Sequence, residues 1–187
     1  RQKFLHDYQE YVTTSSIEVP DASQITRYQD RILEITSDDI PLNRHIRILR
    51  IIENRDFEKA YEENMAFIAS LDKTSRDYAV QTYWQGYICE NLDRTEELIK
   101  WWTESALCDI QGAIKDNASL CSIAIKLTDP QDTDRAFKYI SISLDDALFY
   151  NAKLRKVQIA STLPWILKTY TNSKDLQNRD RTRYLIL

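Results

Sequence analysis

Asp129-Pro130-Gln131-Asp132-Thr133-Asp134 places carboxylates at i, i+3 and i+5, a spacing that could begin a site for a hard cation such as calcium. It lacks the turn glycine and the distal bidentate glutamate of a calcium loop, so Asp132 reads instead as the N-cap of a helix over Asp134–Ser143. Asp145-Asp146 and Glu62-Glu63 are adjacent pairs. Neighbours on a helix point about 100° apart, so neither pair can share one substrate atom for general acid–base work. His6 and His45 are the only histidines, and Cys89, Cys108 and Cys121 the only cysteines, at no zinc-ligand spacing. Each cysteine falls where a helical pattern wants a small apolar residue, which reads as a buried thiol, with one disulfide in an oxidising compartment as the alternative. No serine, cysteine or aspartate shares a nucleophile motif with His45. Asn117-Ala118-Ser119 is a glycosylation sequon, relevant only in a eukaryotic secretory setting. The sequence therefore reads as non-enzymatic, with no metal and no cofactor. What remains is recognition: eleven tyrosines and four tryptophans offer rigid contact surface, among them Tyr83 and Tyr87 at i, i+4 and the adjacent Trp101 and Trp102.

The composition says what kind of scaffold holds these groups. The chain has 187 residues, 43% of them hydrophobic and 29% charged, and a net charge of −4. Gly86 and Gly112 are its only glycines, where a chain of this length ordinarily has about 7%. Doubly wound α/β folds and β-sandwiches need many turns with φ > 0, and phosphate-cradling loops need clustered glycines. The class left is all-α. A pI near 5.3 argues against nucleic acid, and the densest basic run, Arg44, Arg47 and Arg50, lies beside Asp38, Asp39 and Glu53 as a solvated helix face. No apolar run reaches the length of a bilayer span. The chain opens on Arg1 without a basic-then-apolar leader and reads as an excised piece.

Helical periodicity is nearly continuous. Phe4, Tyr8, Tyr11 and Val12 form an opening stripe, ended by the run to Ser16 and by Pro20, and Asp21 or Ser23 caps a stripe of Ile25, Tyr28, Ile32 and Ile35. Asp39 before Ile40-Pro41 reads as an N-cap with proline in the first turn. Helices are predicted over 39–53, 56–71, 75–91, 94–109, 115–128, 132–149 and 151–170, with Pro164 kinking or splitting the last. The links are short, so successive helices pair antiparallel. Residues 1–37 read as N-terminal helices, 38–150 as three hairpins and 151–187 as a C-terminal helix, all in one repeat domain.

Aligning the acidic turns exposes a 38-residue period, in which Ile48, Gly86 and Ala124 are equivalent on the first helix of each hairpin. Twelve residues on, Ala60, Leu98 and Ala136 are equivalent on the second. Helices that cross closely need small residues at the crossing, a demand met fully by Ala124 with Ala136, while Ile48 and Leu98 are bulky departures. The pattern resembles tetratricopeptide repeats, whose ordinary period is about 34 residues. The resemblance implies antiparallel hairpins stacked as a right-handed α-solenoid.

The stretches Asp109–Leu120, Asp134–Ile140, Ser143–Arg155 and Gln158–Pro164 resemble an uncharacterised bacterial family found mostly in gut anaerobes, most specifically in Leu144-Asp145-Asp146-Ala147-Leu148-Phe149-Tyr150-Asn151. In that family a tetratricopeptide-like extracytoplasmic sensor precedes one transmembrane helix and a cytoplasmic DNA-binding regulator region. The resemblance implies a periplasmic, non-enzymatic sensor or interaction domain of a membrane-tethered transcriptional regulator. Its membrane contact would be made only by a segment outside this chain, towards which Arg179–Leu187 leads. The alternative is a cytosolic scaffold that docks peptides.

In tetratricopeptide-like stacks the first helix of each hairpin lines the concave surface. The positions three before and one after each crossing residue are then His45 and Leu49, Tyr83 and Tyr87, and Cys121 and Ile125, with Glu90 and Asn91 one turn further on. The candidate groove for a protein, peptide or unknown small ligand is His45, Leu49, Tyr83, Tyr87, Glu90 and Asn91. Packing between hairpins is the other role open to His45, Tyr83 and Tyr87.

Overall fold

The computed structural model describes residues 22–115 and 118–186. The opening stripe of Phe4, Tyr8, Tyr11 and Val12, together with His6, Pro20, Asp21 and Asn117, lies outside the described residues. Eight α-helices and no strand occur among the described residues: α1 (Ala22–Ile35), α2 (Pro41–Glu53), α3 (Phe57–Ile68), α4 (Arg76–Asn91), α5 (Thr95–Gln111), α6 (Ala118–Lys126), α7 (Thr133–Phe149) and α8 (Lys153–Ile186). A 3-10 turn, Pro130–Asp132, precedes α7. The fold is all-α and built of antiparallel hairpins, as the turn spacing predicts.

The chain divides into two compact units, Arg1–Leu98 and Ile99–Leu187. In the first, α2 packs on α1, α3 and α4, and α3 packs on α4. Its core is Ile48, Ile52, Ala60, Phe67 and Ile88, closed by half-buried Phe57, Tyr61, Trp84 and Tyr87. In the second, α6, α7 and α8 pack on one another around Cys121, Ala124, Ala136, Ile140, Ala147, Ile159 and Ile166. All six register residues are buried: Ile48, Ala60, Gly86, Leu98, Ala124 and Ala136. The bulky departures are set opposite small partners in the register, Ile48 with Ala60 and Leu98 with Gly86, so the summed volume at each crossing stays modest.

The helix ends explain how so few glycines suffice. Arg55, Asp93, Ala113 and Asn151 adopt φ of 59°, 57°, 53° and 53°, each directly after the C-cap of α2, α4, α5 or α7. Each sits in the same hydrogen-bonded lock. Asp56 N donates to Ile51 O and Arg55 N to Ile52 O, and the pattern recurs with Arg94 on Cys89 and Asp93 on Glu90. It recurs again with Ile114 on Asp109 and Ala113 on Ile110, and with Ala152 on Ala147 and Asn151 on Leu148. These are Schellman motifs, which ordinarily take glycine at the left-handed position. Arg55 and Asp93 are 38 residues apart, as are Ala113 and Asn151, so the turns carry the repeat period independently of the helix faces. Scarce glycine excluded the glycine-rich folds, yet it did not mean an absence of left-handed turns.

One local expectation is corrected and two are narrowed. Ile40, not Asp39, is the N-cap of α2, and the Asp39 carboxylate accepts from Ser37 Oγ instead. Asp132 holds the N-cap position of α7 without a capping bond, because its carboxylate pairs with Arg135, whereas Asp129 accepts from Gln131 N and caps the 3-10 turn. Pro164 does not split the last helix, since α8 runs unbroken past it to Ile186. Ile159 and Ile166 flank the proline and are both buried in the second core. Their packing offsets the one backbone bond that proline removes.

Candidate functional site

A cavity of about 490 Å³ opens in the first unit, lined by Ile52, Glu53, Arg55, Phe57, Tyr83, Trp84, Tyr87 and Asn91. Three helices and one turn position these groups. The last turn of α2 supplies Ile52 and Glu53, the left-handed turn supplies Arg55, and the first residue of α3 supplies Phe57. On α4, Tyr83, Trp84, Tyr87 and Asn91 fall at i, i+1, i+4 and i+8, which is one helical face. Asp56 starts α3 as predicted by accepting from Lys59 N, and this cap fixes where Phe57 enters the wall.

The aromatic wall is an edge-to-face cluster. Trp84 meets Tyr83 at 5.8 Å between centroids and 76° between planes, and Tyr87 at 5.5 Å and 82°. Offset and perpendicular packings of this kind match the ring quadrupoles and hold the side chains in place. Asn91 Nδ2 donates to Tyr87 O at 2.9 Å, a bond that does not use its amide oxygen. Glu53 Oε1 accepts a long bond of 3.4 Å from Gln29 Nε2. Arg55 is exposed and makes no ion pair among the described residues.

Behind the wall lies a chain of buried polar groups. His45 contacts the Trp84 ring at 6.3 Å and accepts at Nδ1 from Gln81 Nε2 at 2.9 Å. Burial pushes the His45 pKa below the usual histidine value, against smaller upward pulls from the Gln81 amide and the Asp77 carboxylate. Asn64 Nδ2 donates to Gln81 O at 3.0 Å and to Gln85 Oε1 at 2.8 Å. Asn64 Oδ1, Gln81 Oε1 and Gln85 Nε2 stay without a hydrogen-bond partner. A buried amide atom left unpaired costs about 1–3 kcal/mol, so the contact of α2, α3 and α4 is polar at a real expense in stability.

Of the groove residues expected from the register, the cavity gathers Tyr83, Tyr87 and Asn91. His45 stands one layer behind, against Trp84, and Leu49 is buried in the core at 8% exposure. Glu90 is half-buried and does not line the cavity. In the second unit Cys121 is fully buried among Ala124, Ala136 and Ile140, with Ile125 packed against that core. The three cysteines are free and buried, and burial pushes the Cys89 thiol up to about 11, well away from thiolate chemistry. Counting from the register missed Trp84, Ile52, Glu53, Arg55 and Phe57. Trp84 had a usable signal, since it follows Tyr83 on the face that Tyr87 and Asn91 continue. Of the adjacent tryptophans, Trp102 is buried and Trp101 half-buried beneath the Lys100 ammonium.

Among the described residues no group of three or more His, Cys, Asp or Glu side chains could hold a metal ion. No helix is long and apolar enough to cross a membrane in that same span. No curated protein and no solved structure matches the chain. A family model, the SusR N-terminal TPR (tetratricopeptide repeat) domain, matches residues 1–161. With hairpins, register and family signature in agreement over most of its length, the chain belongs to the family of SusR N-terminal TPR domains.

Proposed function

We propose that this TPR domain is the extracytoplasmic sensor of a membrane-tethered transcriptional regulator and binds its partner or ligand in the α2–α4 cavity. TPR domains are in general non-catalytic interaction modules. The observation that carries the assignment to this place is the half-buried wall of Tyr83, Trp84 and Tyr87, opened by a cavity of about 490 Å³. Binding cavities are commonly about 300–1,000 Å³ and lined by aromatics with a few polar groups, and this one adds Glu53, Arg55 and Asn91. SusR, the namesake of the family, is a regulator, which supports a regulatory output. Tethering and periplasmic placement would come from segments outside this chain.

The test uses the full-length protein in its host. A Tyr83→Ala, Tyr87→Ala variant is expected to lose regulated transcription while the isolated domain keeps its helical circular dichroism. Unchanged regulation in a correctly folded variant would sink the cavity assignment. Protease added outside spheroplasts should cleave the domain. Full protection there would favour the cytosolic peptide-docking scaffold.

A further inference from the structure

Among the described residues the faces of Trp84 and Tyr87 in the cavity wall carry no arginine or lysine, in a fold that covers other rings with cations repeatedly. The Arg44 guanidinium sits 4.4 Å from the Phe67 centroid, Arg94 4.3 Å from Tyr61, and the Lys115 ammonium 4.5 Å from Phe149. Tryptophan and tyrosine attract a cation to their faces more strongly than other neutral side chains do.

The electrostatics of the cavity point the same way. It lies at the last turns of both α2 and α4, through Ile52, Glu53, Tyr87 and Asn91. Each helix C-terminus contributes roughly half a negative charge, and the Glu53 carboxylate adds a full one. The N-terminus of α3, which would oppose them, is covered by the Asp56 carboxylate at its cap. Against these stands Arg55, one positive charge on an exposed side chain at the rim. The balance favours a positive guest.

Resting on the reading of this cavity as the binding site, we propose that it receives an arginine side chain of a protein partner. The guanidinium stacks on Trp84 and Tyr87 and its charge pairs with Glu53. Arginine is favoured over lysine because its planar, weakly hydrated head stacks on rings and forks onto a carboxylate. Glu53 is suited to this role, since its one bond to Gln29 is long.

The probe is N-acetyl-argininamide, added to 15N-labelled domain, with the N-acetyl amides of glutamine and glutamate as neutral and acidic counterparts. The readout is the Trp84 indole N–H resonance, assigned by its loss in Trp84→Phe. A saturable shift with the arginine probe alone is expected. Glu53→Gln should weaken it about two- to five-fold, the usual scale for one exposed charge pair, and Arg55→Ala should tighten it. Raising the salt should weaken it further. A shift with the glutamate probe that Arg55→Ala abolishes would overturn the arginine proposal and leave the cavity a binding site. Silence with all three probes also overturns the proposal. The Tyr83→Ala, Tyr87→Ala variant then separates the two ideas, because lost regulation keeps the binding site and normal regulation removes it.

Discussion

Glycine at residue 113 should stabilise this protein, although glycine in a helix ordinarily does the reverse. Ala113 closes α5 at φ 53°, where it is exposed and its side chain has little packing to lose. An L-residue in the left-handed region bears about 1–2 kcal/mol of steric cost, which glycine lacks. Glycine loses about 0.5–1 kcal/mol more backbone entropy on folding, so the net gain is about 0.5–1 kcal/mol. For a chain of this size about 1 kcal/mol moves the thermal midpoint by roughly 2–4 °C. Asp93→Gly should gain less, because an aspartate tolerates φ of 57° better than alanine tolerates 53°. The control is Ala66→Gly, exposed within α3, which should lose about 1 kcal/mol. Melting followed at 222 nm by circular dichroism compares the three. If Ala113→Gly falls with Ala66→Gly rather than rising, the residue is not left-handed and the Schellman account of the turns is wrong.

Ala136 is 2% and Ala124 0% exposed in one core cluster, so Ala136→Trp should cost at least about 1–3 kcal/mol by overpacking, and an unmoved melting temperature would show the hairpin register is misassigned. Asn64→Asp should cost at least about 3 kcal/mol in urea titrations at pH 7, because a buried carboxylate would face the two acceptors Gln81 O and Gln85 Oε1; part should return at lower pH, where protonation restores one donor. His45 titrates lower in the fold than in the unfolded chain, so below about pH 6.5 the unfolded state holds more protons and stability falls as pH drops towards the folded value. His45→Gln should flatten that slope, and an equal slope in the variant would assign it to other groups.

The candidate site was half legible. Tyr83, Tyr87 and Asn91 could be found by counting along one helix from a register residue, because a helical face is a local property. Their depth could not. Leu49 holds the position in its hairpin that Tyr87 holds in the next, yet Leu49 is buried and Tyr87 lines an opening. The difference comes from what packs above each residue, which depends on neighbouring helices rather than on spacing.

The sequence by itself determined the fold class, the hairpin order and the register, because capping, periodicity and turn length act within a few residues. It also put the cysteines on inward helical faces, while the choice between free thiols and one disulfide was left to the structure, which has all three free and buried. Tertiary structure decided the rest. The cavity joins Glu53 and Arg55 to Tyr87 and Asn91, groups more than thirty residues apart that meet only when α2 packs on α4. Burial of Ile159 and Ile166 carries α8 through Pro164, where local propensity alone would break it. Arg55 is driven left-handed by the same requirement that places Asp93, Ala113 and Asn151 there: the last carbonyls of a packed helix must find donors, and the next helix must turn back onto the core.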